Sequence, residues 1–334
     1  MVDELLLLPE VSEGIREAAT RGVLVPFIGA GVSLLTGCPS WSQLAKGALN
    51  TFLDHGRFTH AQLAQIDHLS PRIKLSIALG MERQNKLAID FAKLLAPKGG
   101  YDNEIGRRVY GALGQMAKTF ITTNYDEWLD SEIVPTSADP LKPGKAPATA
   151  PKPTARRVFD EVADFTPENL NAPGVFHIHG ALRRPAGMIM TTSQYLRHYA
   201  NDHHTARPED ENRLLTFLEY LFQQKTVLFI GYGLEELEIL EYVIQKARRP
   251  AVGGVRETRH YMLQGYFSHE LELMRSMRSY YLNECGIELI GFRRDEKDWA
   301  QLAEVLELFA ARIPARDPLL AQELSEMGAL LDGP

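Results

Sequence analysis

The chain of 334 residues is 45% hydrophobic and 24% charged, which is sufficient to bury the core of one elaborated globular domain. Its formal net charge of -7 argues against a generally basic nucleic-acid surface, so nucleic acid is at most an indirect partner. Because Cys38 and Cys285 are the only cysteines, one chain can build neither a disulfide framework nor a four-cysteine zinc site.

The N-terminal segment combines a short leucine run with a predicted helix. Residues 5–8 are too few to span a bilayer and lack the flanks of a signal peptide, so we expect a cytoplasmic protein without a membrane partner. Ser12 and Gly22 bracket EGIREAAT as the N-cap and the stop signal of a helix that leads into the first strand.

Residues 23–41 join an apolar run, a tight glycine turn and a helix start. The strand-like VLVPFI meets Gly29, Ala30 and Gly31, and Ser33 lies in the following helical segment. Small residues let backbone N–H groups approach a pyrophosphate closely, and a helix N-terminus favours negative charge. The spacing is neither GxGxxG nor GxxxxGK[ST], so a plain strand-to-helix turn remains an alternative to a phosphate site.

Helical signals dominate the next part of the chain. Ser40 is placed to cap a helix from about 41 to 55, Ser70 and Pro71 open a second helical stretch, and residues 103–118 predict a third. Residues 42–118 are therefore predicted to form an all-helical insertion between two strands.

A short β-branched run at residues 119–122 ends in a polar group formed by Thr123, Asn124 and Asp126. The carboxyl end of a strand is where an α/β sheet places its ligand-binding groups. The following segment, about 135–156, is rich in proline and is predicted to be a surface loop or linker.

Later strands repeat this arrangement. GVFHIH at residues 174–179 meets Gly180, residues 188–191 suggest a short edge strand, and TVLFI runs into Gly231, Tyr232 and Gly233. Two further strand candidates, RHYML and IELIGF, alternate with helices. Strands separated by helices predict an α/β fold with a mostly parallel, doubly wound sheet.

The C-terminal residues predict one more amphipathic helix at 319–331, set apart by Pro314 and Pro318. We therefore divide the chain into a domain at residues 1–313 and a C-terminal helix within 314–334. This helix is a candidate assembly element that would support a homo-oligomer, and docking on its own domain is the alternative.

The ordered motifs GAGVS with GCPSW, TTNYD, HIHG, MTTSQY and LFIGYG together resemble the sirtuin family. The likeness is strongest to its bacterial branch associated with anti-phage defence, and it covers residues 23 to about 239. It implies a Rossmann-like fold that takes NAD+ as substrate, with Asn124 near the nicotinamide ribose and His179 as the catalytic base. The implied NAD+-binding residues are Gly29, Ala30, Gly31, Ser33, Thr123, Asp126, Gly231, Tyr232 and Gly233.

Those residue types suit the implied chemistry. An asparagine amide both donates and accepts hydrogen bonds, and a histidine with a pKa near about 6.5 accepts a proton at neutral pH. His177 shares a strand face with His179, so HIH could be a metal pair, although a second-shell or core role is the favoured alternative. We expect a solvated group of histidines at His198, His203 and His204, and no bound metal.

Two departures from the family pattern shape the functional hypothesis. Sirtuin deacylases carry a four-cysteine zinc module that this chain lacks, which favours water over an acyl-peptide acceptor. Related chains often have serine and aspartate at the positions of Gly233 and Glu236, so Glu235 and Glu236 either contact ligand or complement a helix dipole.

The leading hypothesis is an NAD+ glycohydrolase that depletes NAD+ in anti-phage defence by abortive infection. The resemblance implies activation by assembly or by a separately encoded partner, such as a hexameric motor ATPase. Two alternatives remain: an NAD-dependent deacylase or ADP-ribosyltransferase, and a non-catalytic module that binds NAD or ADP-ribose.

Overall fold

The computed structural model describes residues 5–133, 154–199, 212–233 and 260–313. Several sequence predictions lie outside these ranges: the helix at 319–331, most of the proline-rich segment, His203 and His204, and Glu235 and Glu236.

Nine strands occur in the described ranges, and seven of them form one parallel sheet. The strands are β1 (Leu24–Ile28), β2 (Thr119–Thr122), β3 (Ser131–Glu132), β4 (Thr154–Ala155), β5 (Val158–Phe159), β6 (Gly174–His177), β7 (Thr226–Ile230), β8 (His260–Tyr266) and β9 (Ile287–Arg293). The order in the large sheet is β5-β6-β2-β1-β7-β8-β9, and β3 pairs with β4 in a separate antiparallel ladder.

From β1 the chain winds outward in both directions. It runs through β2 to β6 on one side and through β7, β8 and β9 on the other. This is the strand order of a doubly wound, Rossmann-like α/β fold, with β5 added at one edge. The predicted fold class is confirmed, and β1 and β7 meet where the winding reverses.

Twelve α-helices surround the sheet within the described residues. They are α1 (Glu13–Thr20), α2 (Ala30–Leu35), α3 (Trp41–Asp54), α4 (His60–Gln65), α5 (Pro71–Asn85), α6 (Phe91–Leu95), α7 (Glu104–Met116), α8 (Pro167–Leu170), α9 (Thr192–His198), α10 (Arg213–Gln224), α11 (Leu271–Tyr280) and α12 (Gln301–Arg312). None of these helices has the length and apolar character that a membrane crossing requires.

Alternate strand residues face two apolar layers. Ile28 and Ile230 pack in a cluster with residues of α1, α7 and α12, whereas Phe27 and Phe229 pack with residues of α10 and α11. Because helices cover both faces of the sheet, every residue of the strands LVPFI and TVLFI is buried. Strands in this position are typically rich in apolar residues.

Between β1 and β2 the regular elements are helices. Ser40 accepts from the backbone N–H of Gln43, whose side chain in turn accepts from the Ser40 N–H, so a capping box starts α3. Ser70 caps α5, and Pro71 takes its first position. Residues of α3, α5 and α6 form a third apolar cluster that also includes Tyr125 and Met188.

The predicted edge strand at residues 188–191 is wrong. These residues form a loop, because the Ile189 N–H donates to the His179 carbonyl oxygen at 2.9 Å and the Ile189 carbonyl accepts from the Tyr125 hydroxyl at 2.6 Å. Thr191 then caps α9. The segment therefore connects the end of β6 to a short helix instead of extending the sheet.

Candidate functional site

Two glycine loops meet at the carboxyl ends of β1 and β7. The Gly29 N–H donates to the carbonyl of Ile230 at 2.9 Å, and the Gly31 N–H donates to the carbonyl of Gly231 at 2.8 Å. A β-carbon added to Gly29 or Gly31 would lie 2.6 or 2.8 Å from the Gly231 carbonyl oxygen. The contact between the loops therefore requires glycine here, and the Gly31 N–H is already paired.

These glycines permit a close approach of backbone to backbone, in addition to the approach of a pyrophosphate that the sequence predicts. Gly231 has a positive φ of 65°, which also favours glycine. A β-carbon on Gly233 would meet nothing within 4 Å, so no such contact requires glycine at that position.

Asn124 is held at three points at the end of β2. Its Nδ2 donates to the Gly29 carbonyl at 3.0 Å, its N–H donates to the Thr122 hydroxyl at 3.0 Å, and its carbonyl accepts from Nδ1 of His177 at 2.8 Å. Side chain and backbone are thus tied to β1, β2 and β6. Only 8% of Asn124 is exposed, so its amide has one defined place in the wall of the site.

Ser33 and Asp126 bind each other across the same edge. The Ser33 hydroxyl donates to Oδ2 of Asp126 at 2.5 Å, and the Trp128 N–H donates to Oδ1 at 3.3 Å. Burial raises the pKa of Asp126 above its usual range, while these two hydrogen bonds and the nearby His177 lower it. The pair fixes a buried carboxylate beneath the first glycine loop.

Two cavities lie on either side of Ala30 and Leu34, which line both of them. The smaller one, about 80 Å³, has a polar wall formed by Ser33, Thr123, Asn124 and Asp126. The larger one, about 900 Å³, is lined at the loop by Gly31, Gly231, Tyr232 and Gly233 and on its far side by apolar residues and Gln264. The two cavities flank the place where the sheet winding reverses.

Thr123 gives the smaller cavity an unsatisfied polar group. Its Oγ1 is buried and has no hydrogen-bond partner among the described residues, although the side chain lines the cavity. A buried hydroxyl without a partner is costly unless a ligand or water completes it. The polar wall therefore fits a hydroxyl-bearing ligand such as a ribose.

His179 leaves the strand end next to that of Asn124. Thr122 of β2 lies opposite His177 of β6, so Asn124 and His179, each two residues further on, start from adjacent strands about 4.8 Å apart. The structure nevertheless does not bring His179 into the lining of either cavity on the two sides of Ala30. Helix α9 covers the ring instead.

The environment of His179 keeps its ring neutral. Its Nε2 lies 2.7 Å from the Tyr199 hydroxyl, and the rings of Tyr195 and His198 lie about 6 Å away, at centroid distances of 5.9 and 6.0 Å. Burial lowers the pKa of His179 to about 3, with smaller contributions from His198 and Arg72.

His177 and His198 are both held by hydrogen bonds. Both ring nitrogens of His177 are in hydrogen bonds, to the Asn124 carbonyl at 2.8 Å and to Oδ1 of Asp130 at 2.9 Å, so a metal would have to displace one of them. His198 is not simply solvated, because its Nε2 lies 2.6 Å from the Ile178 carbonyl oxygen. No group of three or more candidate metal ligands occurs in the ranges that the structure describes.

Tyr232 is mainly a core residue. Its ring packs on Phe27 and Phe229, with centroid distances of 5.3 and 5.7 Å, and 5% of the residue is exposed. Sequence reasoning also missed Asp130 and Tyr199, which hold the two histidines. Neither residue carries a local signal, since each meets its partner only through the tertiary fold.

A doubly wound parallel sheet with cavities at its reversal point is the architecture of dinucleotide-binding α/β proteins. Residues 118–290 match the sequence model of the SIR2-like domain, which is just over half of the chain. The chain therefore belongs to the SIR2-like family, whose members are generally NAD-utilising enzymes and bind NAD+. Comparison with curated proteins gave no match.

Proposed function

We propose that this protein is an NAD+ glycohydrolase, which cleaves NAD+ to nicotinamide and ADP-ribose. The observation that carries the proposal is the pair of cavities that flank Ala30 at the reversal point of the sheet. Dinucleotides bind across that point in doubly wound folds. The wall of the smaller cavity that carries Thr123, Asn124 and Asp126 suits the nicotinamide ribose, and the larger cavity has room for the adenosine.

Three residues of the smaller cavity have distinct tasks in this proposal. The unpaired hydroxyl of Thr123 forms a hydrogen bond with the ribose. The anchored amide of Asn124 orients the ribose and the attacking water. The buried carboxylate of Asp126 offsets the positive charge that develops at the anomeric carbon as the bond to nicotinamide breaks.

In this reaction, one water molecule hydrolyses the bond between nicotinamide and the anomeric carbon of the ribose. The water oxygen bonds to the anomeric carbon, the bonding pair leaves with nicotinamide as a neutral base, and the water proton passes to His179. A neutral imidazole can accept that proton, but a pKa of about 3 makes the enclosed His179 ring a weak base. Because Tyr199 occupies Nε2, the ring must first be released.

The chain's two cysteines favour water over an acylated peptide as the acceptor. They cannot build the four-cysteine zinc module that sirtuin deacylases carry. The enclosed position of His179 also favours an enzyme that is inactive until assembly or a partner opens the site. We therefore propose a role in anti-phage defence through NAD+ depletion, with self-assembly and a separately encoded partner such as a motor ATPase as the activating event.

The test is an NAD+ depletion assay on the purified protein, with and without candidate partners. We expect nicotinamide and ADP-ribose in equal amounts with no acceptor present. Nicotinamide release that requires an acylated or nucleophilic acceptor would indicate a deacylase or transferase. Binding of NAD+ or ADP-ribose without turnover under any condition would indicate a regulatory module.

A further inference from the structure

His177 is completely buried between two hydrogen-bond acceptors. Its Nδ1 lies 2.8 Å from the Asn124 carbonyl oxygen, and its Nε2 lies 2.9 Å from Oδ1 of Asp130. A carbonyl oxygen cannot donate a hydrogen bond, and neither can a carboxylate. Both ring nitrogens must therefore donate, which makes His177 an imidazolium paired with Asp130.

The surroundings support that charge state. Burial alone lowers the pKa of His177, but the hydrogen bond and charge of Asp130, the Asn124 carbonyl and the charge of Asp126 together raise it above its ordinary value. Removing Asp130 is costly, because the completely buried His177 would be left without the partner of its charge. The pair is therefore a rigid support.

Asp130 is itself fixed by Arg156, at the end of the proline-rich segment. Its carbonyl accepts from the Arg156 N–H at 2.8 Å, and Nη1 of Arg156 donates to the carbonyls of Leu129 and Ser131, both at 2.9 Å. The guanidinium group lies over the ring of Phe120 at 4.9 Å. Asp130 therefore cannot shift without disturbing β2 or its neighbours.

We propose that His177 and Asp130 are positioning residues for Asn124, holding its peptide group so that its amide stays in the cavity wall. This inference rests on the proposed function, because it assigns Asn124 to substrate orientation. The other two anchors of Asn124, at Gly29 and Thr122, hold its side chain and its N–H, whereas its carbonyl is held by His177. Misplacing an orienting group by about 1 Å can cost about a hundredfold in rate.

The first test compares two carboxylates at the same sheet edge, the half-buried Asp130 and the buried Asp160. Asp130→Asn removes the charge that holds His177, and we expect kcat for nicotinamide release to fall by about tenfold or more with little change in KM. The matched control is Asp160→Asn, because Asp160 pairs with Arg183 at 2.8 and 2.9 Å and makes no hydrogen bond to His177 or Asn124. The control should keep the wild-type kcat.

The second test does not depend on activity. In the wild-type protein labelled with 15N-histidine, we expect both ring nitrogens of His177 to be protonated at neutral pH, and in Asp130→Asn only one. A neutral His177 in the wild type would overturn the proposal, as would folded Asp130→Asn with wild-type kcat and KM. Wild-type protein that releases no nicotinamide under any condition, with candidate partners included, would refute the proposed function instead, and the ring spectrum would still test the pair.

Discussion

The phenolic oxygen of Tyr199 lies 2.7 Å from Nε2 of His179, at the nitrogen through which the proposed base would act. Tyr199 directly follows α9, which is anchored by the hydrogen bond of His198 to the Ile178 carbonyl and by Arg72, whose guanidinium lies 3.9 Å from the Tyr195 ring centroid. The helix thus encloses His179 in this conformation.

Tyr199→Phe should open the site. Removing the hydroxyl removes a hydrogen bond to Nε2 that contributes about 1 kcal/mol net. We therefore expect nicotinamide release, and modification of His179 by diethyl pyrocarbonate, to become about fivefold faster. The matched control is Tyr195→Phe, whose ring also lies 5.9 Å from His179. Equal modification rates in Tyr199→Phe and the wild type would show that Tyr199 does not protect the base.

Asn124→Ala and His179→Ala should each remove most NAD+ cleavage. Loss of an oriented group or a general base costs about a hundredfold or more in rate. Thermal unfolding should show that each variant still folds, and His55→Ala, an exposed histidine outside the site, should retain full activity. A folded His179→Ala with near wild-type turnover would remove His179 from the mechanism.

Acid should destabilise the protein partly through His179. The pKa of this group is about 3 in the folded chain, against about 6.5 when unfolded, so below pH 6.5 the unfolded state binds a proton that the folded state does not. Its stabilising contribution is therefore complete above pH 6.5 and is lost as the pH falls towards 3.

Urea unfolding between pH 7 and 4 measures this contribution. His179→Gln should reduce the loss of unfolding free energy by at most about 1.4 kcal/mol per pH unit, the value for one proton. His177 has the opposite sign, since its raised pKa adds stability below pH 6.5 that is lost as the pH rises. A slope in His179→Gln identical to that of the wild type would contradict the buried, neutral state of His179.

Gly31→Ala should lower stability as well as NAD+ affinity. Its β-carbon would lie 2.8 Å from the Gly231 carbonyl oxygen, so the two glycine loops would have to separate. Gly233→Ala is the control, because its β-carbon meets nothing within 4 Å. We expect a clear fall in melting temperature for the first variant and none for the second, and equal melting temperatures would show that the loops can adjust.

Truncation at Pro318 tests the proposed division at residue 313 and the assembly role of the C-terminal helix. If residues 319–331 mediate self-association, the truncated protein should stay folded, form a smaller species in solution and change its NAD+ turnover. Unfolding on truncation would place this apolar stripe in the core of the domain. Unchanged size and turnover would refute the assembly role.

Local patterns predicted much of this fold because their physics is local. Ser40 and Ser70 start helices through bonds to residues three positions later, and the apolar runs LVPFI and TVLFI are buried strands. The same reasoning failed at residues 188–191, where contacts to Tyr125 and His179 replace strand pairing. A short apolar run alone cannot distinguish these two outcomes.

The residue types at the strand ends can be predicted from the amino-acid sequence, because glycine turns and polar groups directly follow apolar runs. Their contacts depend on the tertiary fold: Ser33 meets Asp126 across 93 positions, Gly31 meets Gly231, and Tyr199 covers His179. Such pairings depend on how parallel strands and their crossover helices pack, and no local spacing encodes that geometry.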